Sequence, residues 1–230
     1  MSDKYKEEDV DVETKLLSTT KWAMSYGDLM SVLMILFLLL YSFAAMGSSA
    51  EMLKKINKFQ QSFGAKENSS LANTVKQIDL EEDVADDIKG FIKENNLSEY
   101  AVVKVDDYQI KLMMTQSVMF QKGGFDLMET SKPVLEKLTQ LLTKITNHVV
   151  IEGHTDDLPI QGGSNFDLST KRALAVLQFF TDREMSSARF SISGYGSFRP
   201  IAKNDTEDNR QKNRRVEINI IRKHRDLLAK

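Results

Sequence analysis

A single carboxylate interrupts the longest apolar run of this sequence. Residues 22–46 contain one fully charged side chain, that of Asp28, and the eighteen residues after it contain none. A carboxylate held in lipid costs about 2.5–3.5 kcal/mol on insertion scales unless it has a partner, a bound proton or water. Because desolvation disfavours its charged form, such a group is suited to load and release a proton or a small cation. We therefore predict that Asp28 carries an ion.

Polar side chains lie on the same side of this segment as Asp28. In a helical projection Ser25, Ser31 and Ser42 fall within about 60° of the carboxylate, whereas the large apolar residues lie elsewhere. These serines are candidates for lining an ion channel. The alternative is that Asp28 lies near the membrane interface and makes a static hydrogen bond with a partner helix.

A second group of reactive side chains lies in four segments of the C-terminal half. These segments are Gly153-His154-Thr155-Asp156-Asp157, Asn165-x-x-Leu168-Ser169-x-x-Arg172-Ala173, Gly194-Tyr195-Gly196 and Arg210-x-x-Asn213-Arg214-Arg215-Val216. An aspartate can accept hydrogen bonds from an ammonium group, and an arginine can hold a carboxylate through two parallel hydrogen bonds. The four segments contain residues of both types, which could together hold a ligand that carries both charges. For any single arginine near the C-terminus, a solvated basic edge is the alternative interpretation.

The run at 22–46 has the length and composition of a transmembrane helix. Its 25 residues would reach roughly 37 Å, which exceeds a hydrocarbon core of about 30 Å. A signal peptide is the alternative, but its apolar region spans only about 7–15 residues and follows a basic leader. Residues 1–21 instead carry six acidic side chains and four lysines. We predict an uncleaved anchor, while the lysines on its two sides are too evenly matched to orient it.

A short amphipathic helix is predicted at 47–63, directly after this span. Ser48-x-x-Glu51 has the pattern of a capping box. The apolar residues that follow recur at helical spacing: Met52, Ile56, Phe59 and Phe63. With no core of its own to enter, this apolar side should lie on a membrane, pair with a second copy or cover a partner channel. A helical spacer is the simpler alternative.

Residues 64–99 are predicted to contain a linker and an adaptor helix. Residues 64–78, where no long apolar period is present, are a linker or an adaptor, and an amphipathic helix follows from the acidic stretch 79–87. A folded domain at 100–222 and a short tail at 223–230 complete the chain. The domain alternates strands at 101–106, 109–114, 149–152, 190–193 and 216–221 with helices, one after Pro133 and one at 167–181. This order indicates an α+β fold in which a mixed sheet is covered by helices.

Composition argues against several classes of function. The formal net charge is −2, so no global field recruits nucleic acid, and cysteine is absent. An enzyme could use His154 with Asp156 and Asp157 as metal ligands or acid–base groups, but one such run is far from a complete set. We therefore predict no catalytic activity, no bound metal and no cofactor.

Two sets of motifs resemble known families. Trp22 followed by Ser25-Tyr26-Gly27-Asp28-Leu29-Met30-Ser31 and the Leu/Phe run resembles the signature Trp…Tyr-Ala-Asp-x-Met-Thr that opens the membrane helix of the MotB/PomB family of flagellar stator proteins. Glycine replaces the usual alanine, serine replaces the usual threonine, and the acidic leader replaces a commonly basic tail. The four C-terminal segments, in order over about residues 117–221, resemble the OmpA-like peptidoglycan-binding domain.

The resemblance implies the roles of individual residues in the C-terminal domain. Asp156 and Arg172 correspond to the ligand-binding aspartate and arginine of that domain, and a diaminopimelate side chain presents the ammonium and the carboxylate that they would bind. Thr155 and Asn165 would hydrogen-bond peptide groups or buttress the loop. Arg214 would orient Asp156 or add a ligand contact.

The same resemblance implies a location and partners. Residues 1–21 would be a cytoplasmic tail, and a single pass through the inner membrane would place the C-terminal domain in the periplasm or facing the cell wall. Two copies would pair inside a ring of MotA-type subunits, which contact the rotor, with 47–63 as the plug of the channel. The transported ion is H⁺ or Na⁺. Alternatives are a MotB-like motor for anti-phage defence, gliding or envelope energy, and a passive peptidoglycan tether, which leaves Asp28 unexplained.

Overall fold

The computed structural model of the chain describes residues 22–42, 49–62, 69–160 and 163–223. It divides into two compact units, residues 1–52 and residues 53–230. The first unit contains helix α1, Trp22–Ser42, whose mean hydropathy of 1.9 and 21 residues make it long and apolar enough to cross a membrane. The predicted end of the span, 43–46, lies outside the described residues.

Helix α2, Ser49–Ser62, forms within the predicted amphipathic segment. Met52 and Phe59 on its predicted apolar side are exposed, Ile56 is half-buried, and Phe63 lies outside the described residues. A different side of the helix faces the C-terminal domain, because the ammonium group of Lys54 lies 2.7 Å from Asp79 and 2.6 Å from Glu82. The apolar side is therefore not the one that contacts α3.

Helix α3, Ser69–Glu94, begins well before the predicted adaptor helix. Of the two alternatives for 64–78, linker or adaptor, residues 69–78 agree with the adaptor, because they are helical. Leu71, Val75 and Ile78 continue the spacing of the later apolar residues, and Ile78 is fully buried. Three apolar positions in ten residues are too few to reveal a helix without the packing that buries them.

Five strands form one mixed sheet, as predicted. They are β1 (Ala101–Val105), β2 (Gln109–Thr115), β3 (Val149–His154), β4 (Phe190–Gly194) and β5 (Arg215–Ile221). Their order across the sheet is β1-β2-β5-β3-β4. Strands β3 and β4 run parallel, and every other neighbouring pair is antiparallel. The last strand in the chain thus lies at the centre of the sheet, between β2 and β3.

Helices cover one face of this sheet and enclose the core. Besides α3 they are α4 (Gln116–Met119), α5 (Lys132–Leu142) and α6 (Asn165–Thr181), while the short α7 (Glu207–Asn213) precedes β5 and contributes no residue to the core. Alternate residues of the strands point into the core, as the two-residue period requires, including Ile110, Leu112, Ile151, Ile218 and Ile220. Ser164 begins α6 with a capping box that involves Asp167, so the helix starts two residues before its predicted position. The fold class is confirmed.

A buried ionic network joins α3 to the end of β5. Glu81 is completely buried, and its carboxylate accepts hydrogen bonds from Arg222 at 3.0 Å and Asn147 at 2.6 Å. A buried charge is tolerated when it is paired and hydrogen-bonded in this way. The adaptor helix is therefore a structural part of the domain.

Candidate functional site

One cavity of about 820 Å³ opens beside the carboxyl end of β3. All five side chains predicted to bind a ligand line this cavity: Thr155, Asp156, Asn165, Arg172 and Arg214. They come from the loop after β3, from α6 and from the junction of α7 with β5. The fold therefore brings together residues that lie up to sixty positions apart in the chain.

Asp156 and Arg214 form the ion pair at one wall of the cavity. β3 and β5 are antiparallel neighbours with His154 opposite Arg215, so the residues just beyond these positions meet. Arg214 donates from Nη1 to Oδ2 of Asp156 at 2.7 Å. Since Asp156 is buried, this arginine holds its carboxylate in a defined orientation. Of the two roles predicted for Arg214, the geometry supports the orienting one.

Glu207 is a member of the site that the sequence did not reveal. It lies in the first turn of α7 and accepts a hydrogen bond from Nη2 of Arg214. This bond lowers the pKa of Glu207 below its ordinary value. Burial by itself would lower the pKa of Arg214, but its bonds to Glu207 and Asp156 outweigh that effect and raise it. Arg214 is thus a permanent cation held between two carboxylates.

Arg172 is the second cation of the cavity and is only 2% exposed. Its Nε donates to the carbonyl oxygen of Gly124 at 2.9 Å, and its guanidinium group lies 5.4 Å from the centre of the Phe120 ring. Burial lowers the pKa of Arg172 to about 10, against the opposing attraction of Asp156, so the side chain remains protonated at neutral pH. Among the described residues, none accepts a hydrogen bond from its two terminal nitrogens. These donors are available to a ligand.

Asn165 and Thr155 support the loop that carries Asp156. The Nδ2 atom of Asn165 donates to the carbonyl oxygens of Asp156 at 3.3 Å and Leu158 at 3.0 Å, and the Thr155 hydroxyl donates to Asp156 at 2.9 Å. The Oδ1 atom of Asn165 is buried and has no hydrogen-bond partner within the described ranges. Both residues therefore buttress the loop.

Gly153 brings β3 and α6 close enough to form the cavity. A Cβ atom at this position would lie 2.0 Å from the carbonyl oxygen of Ser169 in α6. No side chain fits at that distance, so the strand and helix would have to separate. Thr155 and Arg172, which follow these two residues, would then move apart.

Replacing Gly153 with alanine should lower the melting temperature of the domain by roughly 6–12 °C, because separating the strand from the helix costs about 3 kcal/mol. Thermal unfolding of the full chain in detergent, followed by circular dichroism, measures the change. Gly90→Ala is the matched control, since no atom lies within 4 Å of the added Cβ in α3 and alanine is the better helix former. A Gly153→Ala protein with the same melting temperature as the wild type would refute this close contact.

The predicted ion-carrying residue and its serines all lie in α1. Ser31 donates its hydroxyl hydrogen to the carbonyl oxygen of Gly27 at 2.8 Å, which leaves its oxygen able to accept. Asp28, Ser25 and Ser42 are exposed on the isolated helix. Their role in ion transport stays a prediction.

Comparisons with known proteins agree with both halves of the chain. Residues 119–214 match the OmpA family, and residues 6–63 match a family described as membrane MotB of the proton-channel complex MotA/MotB. The uncharacterized protein YtxE of Bacillus subtilis is 31% identical over 218 residues, with 90% of each chain covered. Motility protein B of the same organism is 27% identical, and the alignment covers 87% of this chain and 90% of that protein.

A solved structure confirms the fold of the C-terminal domain. The periplasmic domain of Helicobacter pylori MotB superposes with a TM-score of 0.51 at 28% identity, covering 56% of this chain and 86% of that domain. The chain thus combines a helix long and apolar enough to cross a membrane with an OmpA-family domain that has a cavity lined by paired charges. The chain is a member of the MotB family with an OmpA-like domain.

Proposed function

We propose that the chain is a stator subunit of an ion-driven rotary motor that carries H⁺ or Na⁺ on Asp28 and holds the motor to peptidoglycan, so that ion flow produces torque for flagellar motility. The observation that carries the wall-binding part is the cavity in which the terminal nitrogens of Arg172 have no acceptor among the described residues and lie beside the oriented carboxylate of Asp156. The proposed role of α1 in ion transport rests on the position of Asp28 within that helix. The arrangement of charges in the cavity supports binding of a ligand, without catalysis.

The charges of the cavity match a zwitterionic ligand. Two carboxylates, Asp156 and Glu207, and three cations, Lys122, Arg172 and Arg214, line the cavity, so it offers groups of both signs with a net charge of +1. The free end of diaminopimelate carries one ammonium and one carboxylate. Arg172 would hold the carboxylate through its terminal nitrogens, and Asp156, fixed by Arg214, would accept from the ammonium. Such pairing keeps every buried charge compensated.

In the membrane, Asp28 would load an ion from the outer side, become neutral, meet a surrounding ring of MotA-type subunits and discharge inward. One charge crossing the membrane supplies about 2.3 kcal/mol per 100 mV. Two copies of this chain would form the axle of the ring, with each N-terminus in the cytoplasm and each C-terminal domain on the wall side of the inner membrane. The wall would supply the reaction torque, and the ring would contact the rotor.

Helix α2 would close the channel while the motor is idle. Met52 and Phe59 present apolar surface that a channel mouth can bury, and this surface is distinct from the Lys54 side that contacts α3. Wall binding by the domain would then be coupled to the position of the plug. The segment could instead act as a spacer, in which case its removal would leave the idle channel closed.

A non-flagellar motor is the second candidate function. The identity to YtxE, 31%, is higher than the identity to motility protein B, 27%, so the comparisons do not separate the two. The membrane and wall chemistry would be the same, and only the driven machine would differ.

Deleting the gene for this chain from its host distinguishes these outputs. We expect cells that still assemble flagella but no longer swim, with swimming restored by the wild-type gene. Measuring swimming speed with and without sodium then identifies the ion. Unchanged swimming together with a loss of gliding or phage resistance would contradict the flagellar proposal and support the second candidate.

A further inference from the structure

Three side chains with metal-binding groups meet on the sheet face that points away from the core. They are Glu152 and His154 of β3 and Glu217 of β5, and their ligand atoms all lie within 4.8 Å of one another. Glu152 and Glu217 are direct partners in the antiparallel register. Two like charges in opposite positions destabilise a sheet unless cations compensate them, and Lys111 and Arg215 already bond Glu217 here, so the case for a bound ion rests on His154.

His154 adds an independent sign of a missing ligand. The residue is 1% exposed, and in the part of the chain that the structure covers neither ring nitrogen has a hydrogen-bond partner. Its Nε2 atom lies 3.7 Å from Oε2 of Glu152 and 3.8 Å from Oε1 of Glu217. Both distances are too long for hydrogen bonds. A buried imidazole without any partner is costly, so its position between two carboxylates calls for a bound species.

These distances suit the ligands of a single metal ion. Two ligand atoms about 2.1 Å from a tetrahedral ion lie roughly 3.4 Å apart, within a few tenths of an ångström of the 3.7 and 3.8 Å that separate Nε2 of His154 from the two carboxylates. One imidazole nitrogen with two carboxylate oxygens is a set that favours zinc over the oxygen-binding ions calcium and magnesium. We propose that Glu152, His154 and Glu217 form a binding site for a divalent transition-metal ion of the zinc type.

The surroundings of the three residues resemble the outer partners of a metal site. Lys111 and Arg215 each donate to the Glu217 carboxylate at 2.6 Å, which fixes its orientation. The ring of Tyr195 stacks on His154 with 5.4 Å between centroids. Because the two cations offset the charge of the carboxylates, we expect moderate affinity, with a dissociation constant on the order of 10 µM.

A bound ion would act on the neighbouring ligand cavity. His154 directly precedes Thr155 and Asp156, and Arg215 directly follows Arg214. The ion would link β3 to β5 at the point where both strands enter the cavity wall. It would thereby steady the Asp156–Arg214 pair without touching the cell-wall ligand. From the sequence we expected no metal site. The proposal differs from that expectation because the three ligands are brought together only by the register of β3 and β5.

Zinc titration of the full chain tests the proposal. The protein, purified in detergent and freed of metal with a chelator, should bind one Zn²⁺ in isothermal titration calorimetry, and zinc should raise its melting temperature. Substitution of Co²⁺ should produce the strong visible absorption of a tetrahedral site. His154→Ala should weaken binding at least tenfold and abolish that absorption. His148→Ala is the matched control, because His148 is exposed, bonds Ser191 and should leave zinc binding unchanged.

A second variant guards against misfolding of the first. Glu152→Gln keeps the shape of the half-buried side chain and removes its charge, so it should remain folded while losing zinc at least tenfold. Absence of zinc binding up to 1 mM, roughly a hundredfold above the expected constant, would overturn the proposal. Equal affinity of the wild type and both variants would likewise overturn it, since zinc would then bind elsewhere.

Discussion

Asparagine in place of Asp28 should abolish ion conduction and swimming while leaving the protein in the membrane and able to bind peptidoglycan. The two side chains have nearly the same size, but an amide cannot take up and release a proton or pair with a cation as a carboxylate does. Without a charge that crosses the membrane field, the motor loses about 2.3 kcal/mol of drive per 100 mV for each ion. We expect ion flux to fall at least about 100-fold.

Ion flux is measured in cells that express the chain with its MotA-type partner, and torque is measured on tethered cells. Asp28→Glu is the matched control, because it keeps the carboxylate and should retain part of the flux. Co-sedimentation with purified sacculi separates a defect in ion transport from a loss of anchoring. Wild-type swimming by Asp28→Asn would exclude the carrier role and leave the passive tether as the better interpretation.

Alanine in place of Arg172 should weaken binding to diaminopimelate-containing sacculi by about 100-fold. Removing one partner of a buried charge pair costs about 2–5 kcal/mol, and each 1.4 kcal/mol corresponds to a factor of ten. The loss should be large because the guanidinium group is almost completely buried and its terminal nitrogens have no other acceptor among the described residues. Quantitative co-sedimentation of the full chain with sacculi measures the effect.

Two further variants show whether this loss is specific. Arg210→Ala removes an arginine that does not line the cavity and lies 3.6 Å from Asp157, so binding should change little. Arg172→Lys keeps the positive charge but not the forked geometry and should give an intermediate affinity. Melting temperatures are compared first, since a buried side chain also contributes to stability. Wall binding equal to that of the wild type by a folded Arg172→Ala protein would remove the proposed site.

Much of the site could be predicted from sequence because its residues lie in short local patterns. Asp156 follows a strand, Arg172 lies about two turns inside α6, and Arg214 precedes the last strand. Each pattern spans only a few residues, and local periodicity encodes which side chains point out of an element. The fold class followed from the same alternation of strands and helices.

Other features depend on contacts between distant segments. Glu207 could be recognised as part of the site only after α7 had placed it beside Arg214, although an acid in the first turn of a helix is a common local pattern. The first ten residues of α3 carry few apolar side chains, and their helix depends on the burial of Ile78. Helix propensity alone does not determine whether such a segment is helical.

The sequence by itself determined two features of this chain: an apolar helix with one carboxylate, and a domain whose turns carry the charges that bind a ligand. Both follow from length, periodicity and turn chemistry, which are local properties of the sequence. Only the tertiary structure decided which charges meet. The register of β3 against β5 places Asp156 beside Arg214 and Glu152 opposite Glu217. A shift of one residue in that register would turn each side chain to the other face, and no local pattern specifies a pairing between segments sixty residues apart.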